Sequence, residues 1–223
     1  MNVADFLAAF RADLQDEEQP YLWSDQELVR YLNAAVQEAN ERALLTEDRS
    51  TPAVCVIPLQ AGVATYALHP SVLQVKRVTL RGRPLDETSI ESLDCEYRDW
   101  ESRNGHPRRF IFAQASGSMP PQLRLVSTPV AADVVNLTVY RGALKPLCED
   151  RDTEKPELPV RFHEQLKDWV YRCAYLKQDA ETLDKAKAAD FEAIFVGNFG
   201  QRPDANVQRK QRDRRSPIVR FTW

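Results

Sequence analysis

The sequence predicts an α+β fold in which N- and C-terminal helices form a bundle, an antiparallel β-rich domain is inserted between them, and an extended arm follows. Apolar residues recur at helical spacing near both ends, whereas the middle has short β-type runs separated by Pro and Gly. The last two dozen residues are polar and basic. We place the boundaries at 1–48 for the N-terminal helices, 49–150 for the β-rich domain, 151–199 for a C-terminal helical hairpin and 200–223 for the arm.

The N-terminal segment should contain two helices. The first lies within residues 2–17, where one face is apolar and the other carries charged residues. After Pro20, the run from Ser24 to Glu27 has the pattern of a capping box, so the second helix should begin at Ser24. The apolar positions of the two helices are Val3, Phe6, Leu7, Phe10 and Leu14, followed by Leu28, Leu32, Ala35 and Ala39.

The middle of the chain, residues 51–145, has the pattern of antiparallel β structure. Its short runs are rich in Val, Ile, Leu, Thr and Tyr, and Gly and Pro supply the turns between them. A helical piece is expected at residues 89–100, with Thr88 and Glu91 as its cap. The candidate strands are residues 53–57, 64–68, 74–81, 109–113, 122–127 and 134–141.

Helical spacing returns at Pro159, a residue type that is favoured in the first turn of a helix. That helix should run to about Gln178, and after a polar break at 179–181 a last helix should end at Gly197 and Gly200. We expect the two helices to form an antiparallel hairpin. Their apolar positions are Phe162, Leu166, Trp169, Val170, Cys173 and Leu176, followed by Leu183, Ala186, Ala189, Phe191, Ile194 and Phe195.

The sequence has few residues that suit catalysis or metal binding. His69, His106 and His163 are not spaced with a second His or Cys, so we expect the first two to shape turns. We expect His163 to be a polar surface residue. No phosphate-binding glycine loop or nucleophile motif is present. We therefore predict a protein that is not an enzyme and has no cofactor, with an uncharacterised enzyme kept as a third alternative.

Cysteine usage and hydropathy indicate an ordinary soluble chain. The cysteines are Cys55, Cys95, Cys148 and Cys173. Because they are far apart, we expect buried thiols rather than disulfides.

The densest acidic group is Asp94, Glu96, Asp99 and Glu101, which we expect to form a solvated face near Trp100 rather than a metal site. No run reaches the roughly 18 apolar residues of a membrane span, so we expect no membrane partner.

The arm carries the most unusual feature, its charge. Residues 201–223 contain seven Lys or Arg and two Asp, a net charge of +5, which leaves −8 on the rest of the chain. Six of the seven are arginines, which favour bidentate pairing with carboxylates or phosphates. Terminal aromatic residues are, like arginine, typical anchors of protein interfaces. The residues expected to bind a partner are Arg202, Arg209, Lys210, Arg212, Arg214, Arg215, Ile218, Val219, Arg220, Phe221 and Trp223.

Two other interpretations of the arm remain open. Basic chain ends are often solvated tails with little function. Alternatively, the chain is a nucleic-acid-binding protein whose basic tail is a phosphate clamp, in which case its affinity for DNA should collapse with added salt. That alternative leaves the terminal aromatics and the acidic remainder unexplained. We expect an arm that is disordered when free and ordered on a protein surface.

Several stretches resemble the head-to-tail adaptor proteins of short-tailed bacteriophages, also described as head-completion or tail-tube A-like proteins. The likeness covers most of residues 20–200 and lies in the order and spacing of the stretches. They are Trp23-Ser24-Asp25-Gln26-Glu27-Leu28, Tyr31-Leu32-Asn33-Ala34-Ala35, Ile57-Pro58-Leu59-Gln60-Ala61-Gly62, Tyr66-Ala67-Leu68-His69-Pro70, Asn104-Gly105-His106-Pro107, Phe191-Glu192 and Phe199-Gly200.

The resemblance implies a structural head–tail connector of the virion. It implies a dodecameric ring seated under the portal protein, with a tail nozzle or other tail proteins on the distal side. Genomic DNA would pass through the lumen without specific binding, and residues 200–223 would reach onto the portal. The protein would lie at the head–tail junction, and in the host cytoplasm during assembly.

Overall fold

Helices from both ends of the chain pack together, and the residues between them form a sheet. The structure is a computed structural model, which describes residues 1–179 and 182–204. By its internal contacts the chain divides into a helical unit, residues 1–46 and 141–202, and a β unit, residues 47–140. Helices at both ends and a sheet between them confirm the predicted α+β fold class.

Six α-helices and eight strands lie within the described residues. The helices are α1 (Val3–Leu14), α2 (Asp25–Ala43), α3 (Pro52–Cys55), α4 (Ile90–Glu96), α5 (Leu166–Tyr175) and α6 (Lys185–Phe199). The strands are β1 (Glu47–Asp48), β2 (Val56–Leu59), β3 (Thr65–Ala67), β4 (Val72–Leu80), β5 (Arg83–Glu87), β6 (Arg109–Ala113), β7 (Gln122–Val126) and β8 (Asp133–Arg141).

The two N-terminal helices begin where their caps satisfy the first backbone amides. The Glu27 amide donates to Ser24 Oγ (3.2 Å), and the Ser24 amide donates to the Glu27 carboxylate (3.1 Å). The predicted start at Ser24 is therefore confirmed. Asn2 and Asp5 form the same reciprocal pair on α1, a cap that the sequence analysis did not identify. Of its predicted apolar positions, α1 buries Val3, Phe6, Phe10 and Leu14, whereas Leu7 is half-buried.

The last two helices form the predicted antiparallel hairpin. The ring centres of Trp169 and Phe195 are 5.0 Å apart, and those of Tyr175 and Phe191 are 5.9 Å apart. Contacts that advance along α5 thus move back along α6. Because α5 also packs against α2, the hairpin closes the apolar core of the helical unit.

The start of α5 differs from the prediction. A 3₁₀ turn at Val160–Phe162 follows Pro159, and the α-helix begins only at Leu166. The prediction of His163 as a surface residue is wrong, since its ring is 2% exposed and lies 6.0 Å from Phe6. Both ring nitrogens have hydrogen-bond partners, which makes burial of this polar side chain tolerable.

The helix α6 continues through Gly197 and ends at Phe199, with Gly200 as its C-cap. Its buried residues are Ala188, Phe195 and Phe199. Of the apolar face predicted for it, Leu183 precedes the helix and Ile194 is 50% exposed. Ala186 and Ala189 are exposed as well. The predicted face is therefore only partly correct.

The sheet is mixed rather than purely antiparallel. Its strand order is β1-β8-β4-β5-β6-β7-β3, and β2 also pairs with β8. β5 pairs with β4 in antiparallel fashion but with β6 in parallel. A parallel pair requires a crossover connection, and α4 lies in the segment that joins β5 to β6.

Most strands lie where the sequence predicts them. β6 has the predicted bounds, and β3, β4, β7 and β8 agree within two residues. β1 and β5 were not expected, and the run predicted as a strand at 53–57 divides into α3 and β2. Pro52 explains this difference, because a proline at the first helical position favours a helical turn.

Two smaller expectations are wrong in whole or in part. The cap of α4 is Ser89, whose Oγ accepts a hydrogen bond from the Ser92 amide at 3.2 Å, and not Thr88. Among the cysteines only Cys55 is buried, whereas Cys95 is exposed and Cys148 and Cys173 are half-buried. Cys95 lies on α4, whose only buried residue is Leu93.

Candidate functional site

The residues predicted to bind a partner lie mostly beyond the part of the chain that the structure describes. Arg202 is the member of that set within the described residues. Ten lie outside them: Arg209, Lys210, Arg212, Arg214, Arg215, Ile218, Val219, Arg220, Phe221 and Trp223. The observable part of the candidate site is therefore the arm root, which we define as residues 200–204.

The arm root begins with a backbone conformation that favours glycine. Gly200 has φ +84° and ψ 174°, a region that other residues adopt only with strain. Its amide still donates to the Val196 carbonyl at 2.8 Å, which completes the last turn of α6. The chain thus leaves the helix sharply at this residue.

The carbonyl of Gly200 is held by a buried arginine from α2. Arg42 Nη1 donates to this oxygen at 3.1 Å, while its Nε and Nη2 donate to Glu38 Oε1 at 2.9 and 2.7 Å. The guanidinium lies over the rings of Trp169 and Phe195, 5.0 and 5.1 Å from their centres. Only 4% of the Arg42 side chain is exposed. We call these four side chains, Glu38, Arg42, Trp169 and Phe195, the Arg42 cluster.

Arg202 makes a second, more exposed contact with α2. Its Nη2 donates to Glu41 Oε2 at 2.8 Å, and its Nε lies 3.9 Å from Glu38. The hydrogen bond that Arg202 donates to Glu41 raises the pKa of Arg202 above its usual value. Since 64% of this side chain is exposed, the pair contributes at most about 1 kcal/mol. The arm root thus contacts α2 at two points, through the buried Arg42 side chain at Gly200 and through an exposed ion pair at Arg202.

The sequence analysis did not identify Glu38, Glu41 or Arg42. Glu38 and Arg42 are four residues apart on a helix, a spacing that predicts an ion pair. That signal was available, but it resembles many ordinary surface pairs. Arg42 and Gly200 are 158 positions apart, and only the tertiary structure brings them together.

The acidic excess of the chain lies in the helical unit. Residues 1–46 and 141–202 carry 21 Asp or Glu and 14 Lys or Arg, whereas residues 47–140 carry ten of each. The arm therefore starts from an acidic unit and has the opposite charge. Such an arrangement suits a segment that binds an acidic surface elsewhere.

The acidic group near Trp100 is engaged in surface contacts. Asp94 accepts a hydrogen bond from Trp100 Nε1 at 2.8 Å, and Glu96 and Glu101 pair with arginines. Within residues 1–179 and 182–204, no three His, Cys, Asp or Glu side chains are grouped so that they could hold a metal ion. Over the same residues, no helix combines the length and the apolar character needed to cross a membrane.

A protein-family comparison identifies the class. The family model described as SU10 adaptor protein matches residues 1–220. The chain belongs to the SU10 adaptor protein family. No curated protein matches the chain. Membership in this family of phage adaptors confirms the resemblance to head-to-tail adaptors, and it supports a structural role, association with other phage head and tail proteins, and a location in the virion.

Proposed function

We propose that this member of the SU10 adaptor family is the head–tail connector of a short-tailed phage. Copies of the chain form a ring, dodecameric by resemblance, between the portal protein and the tail nozzle or other tail proteins. Genomic DNA passes through the lumen without specific binding. The protein assembles in the host cytoplasm and remains at the head–tail junction.

We also propose a division of labour along the chain. Residues 1–48 and 151–199 form the bundle, residues 49–150 form the inserted β-rich domain, and residues 200–223 form the portal-binding arm. The role assigned to the arm is a proposal for its basic and aromatic residues, with Phe221 and Trp223 as anchors that fill an apolar pocket of the portal.

The observation that carries this proposal is the arm root. A basic arm that starts from an acidic unit, at a carbonyl held by Arg42, suits docking onto a carboxylate-rich surface of another protein. A tail that was merely solvated would not require a buried guanidinium at its start. This contrast favours a binding arm over a solvated tail.

The negative charge of the helical unit is consistent with the proposed passage of DNA. A lumen with excess carboxylates repels phosphates, so DNA slides without adhering to it. The helical unit has a net charge of −7, from 14 basic and 21 acidic residues, whereas the β unit is neutral. We therefore propose that the helical unit is the part of the chain that keeps DNA from adhering to the lumen.

Binding to portal tests the proposal directly. Purified full-length protein is mixed with the portal protein of its phage, and the product is sized by chromatography. We expect co-elution of the full-length chain, no co-elution of a chain that ends at Asp204, and loss of most affinity when Phe221, Thr222 and Trp223 are removed. Ending the chain at Asp204 retains both contacts of the arm root with α2. Undiminished binding of the Asp204-terminated chain would refute the role of the arm.

The same proteins test the nucleic-acid alternative. Their affinity for a DNA duplex is measured at rising salt concentration. A phosphate clamp of six or seven cations predicts an affinity that falls by several orders of magnitude between low and physiological salt. The adaptor proposal predicts that portal is bound in preference to DNA at physiological salt. Tight DNA binding without portal binding would favour the clamp.

A further inference from the structure

We infer that Arg42 is a positioning residue for the arm, which fixes the point and direction from which the arm leaves the helical unit. The residue belongs to α2, far from the arm in sequence, and nothing in the family match assigns it a role. The inference rests on the proposed function for its consequence, since it concerns how the arm is presented to its partner. Its structural part, the holding of Gly200, is testable without any partner.

At Arg42 a charged side chain is buried where an apolar one would often stabilise the fold equally well. Taking Arg42 and Glu38 out of water costs free energy, and a well-packed apolar pair is often as stable as a buried ion pair. What the guanidinium adds is a directional donor. Its Nη1 is the group that reaches the Gly200 carbonyl.

Two unusual features meet at Gly200. Gly200 has the positive φ that favours glycine, and its carbonyl accepts from the buried Arg42. The rings of Trp169 and Phe195 restrict the guanidinium from the side of the α5–α6 hairpin. Residues of α2, α5 and α6 therefore together determine where the arm begins.

Arg202, two residues after Gly200, makes a contact of a different kind. That side chain is 64% exposed, and its pairing with Glu41 is of the kind that solvent and salt weaken. The contact at Gly200 is thus fixed by a buried side chain, whereas the contact between Arg202 and Glu41 is exchangeable. Carboxylates of a partner could replace Glu41 without disturbing the Arg42 cluster.

A fixed root lowers the entropic cost of docking. Each residue that must be ordered on binding costs roughly a factor of ten in affinity. If the contact with Gly200 were lost, one or two further residues of the arm root would have to be ordered by the partner. The arm would keep all its own contacts and still bind more weakly.

The test uses a full-length double variant, Arg42→Met with Glu38→Gln. Removing both charges avoids a stranded buried carboxylate, which would by itself destabilise the unit. The matched control is Arg30→Met on the same helix, because Arg30 is exposed and its guanidinium lies 5.2 Å from the ring centre of its neighbour Tyr31.

Two measurements separate positioning from folding. Hydrogen exchange at the amides of Phe199 and Gly200, without partner, should be roughly tenfold faster in the double variant than in the Arg30→Met control. Affinity for the phage's portal should fall by about tenfold to hundredfold in the double variant. It should change less than about threefold in Arg30→Met. Thermal unfolding checks that the double variant remains folded.

The outcomes distinguish the inference from the proposed function. Unchanged exchange at Gly200 in the folded double variant would overturn the inference, and so would faster exchange with unchanged portal affinity. If the parent protein itself fails to bind portal, the proposed function fails. The exchange result then still decides whether Arg42 holds the arm root.

Discussion

His163 is a buried polar residue whose protonation state is set by its neighbours. Its Nε2 lies 3.1 Å from the Leu158 carbonyl, which can only accept, so this nitrogen carries the hydrogen. Nδ1 is then the acceptor for the Met1 amino group at 3.1 Å. Burial is the largest cause that lowers the pKa of His163, and the positive charges of Met1 and Lys155 lower it further. The ring is thus held in its neutral form.

This geometry predicts a loss of stability in mild acid. The folded state has the lower pKa, so the unfolded chain binds a proton first as the pH falls below about 6.5. We expect the free energy of unfolding of the helical unit to decrease from pH 6.5 to pH 5, and to decrease less in His163→Gln. Chemical denaturation at several pH values measures this. The exposed His106 is the control, and a His106→Gln variant with the same reduced pH dependence would contradict the assignment.

Two glycines three residues apart should respond to the same substitution with opposite signs. Gly200→Ala forces a side chain into a conformation with φ +84° and should lower the free energy of unfolding by about 1–3 kcal/mol. Gly197→Ala lies within α6, where no atom is within 4 Å of the added methyl group, and should raise it by about 0.5–1 kcal/mol. Equal effects at both sites, measured by urea denaturation, would refute this account of the arm root.

At the scale of elements, the cap of α2 sets where the central helix begins. Ser24→Ala removes the acceptor of the Glu27 amide and should lower the free energy of unfolding by about 1 kcal/mol. Gln26→Ala, at an exposed site in the same turn, should change it by less than about 0.5 kcal/mol. Thermal or urea denaturation provides the comparison. A larger effect at Gln26 than at Ser24 would show that the cap is not what stabilises this end.

Elements with a regular local pattern could be predicted from the sequence. In β7, Leu123 and Leu125 are buried and their neighbours are half-buried, which is the alternation of a strand with one face on a core. α1 shows the corresponding helical spacing from Val3 to Leu14. Here the residues that identify the element are also those that it buries.

Elements whose structure depends on pairing or packing with neighbouring elements could not be predicted from the sequence. In β5 only Leu85 is buried and Pro84 argues against a strand, so its identity comes from pairing with β4 and β6. α6 has small or apolar residues on every side, and the spacing therefore could not select the face that packs. Ile194 was placed on that face and is half-exposed.

The candidate site divides in the same way. The composition of residues 201–223 marks the arm without any structure, because the charge contrast is visible in the sequence. The site at which the arm is held depends on Arg42 reaching Gly200, 158 positions away. A long-range contact of this kind leaves no local periodicity.

For the whole molecule, the separation of charge between the units predicts an effect on DNA passage. Glu18 is exposed in the acidic unit and has no ion-pair partner among the residues that the structure describes. Virions carrying Glu18→Lys in every copy should eject DNA more slowly, since each copy adds a phosphate-binding cation. Glu91→Lys in the neutral β unit is the control. If virions with Glu18→Lys eject DNA at the rate of the Glu91→Lys control, the proposal that the acidic charge of the helical unit keeps DNA from adhering is contradicted.

The central claim is that residues beyond the arm root bind the portal. Hydrogen exchange of residues 205–223, measured with and without the phage's portal protein, tests it most directly. We expect the amides of this segment to become protected when portal is added, and the protection to extend to Phe221 and Trp223. Stable portal binding with unchanged exchange throughout the segment would contradict it.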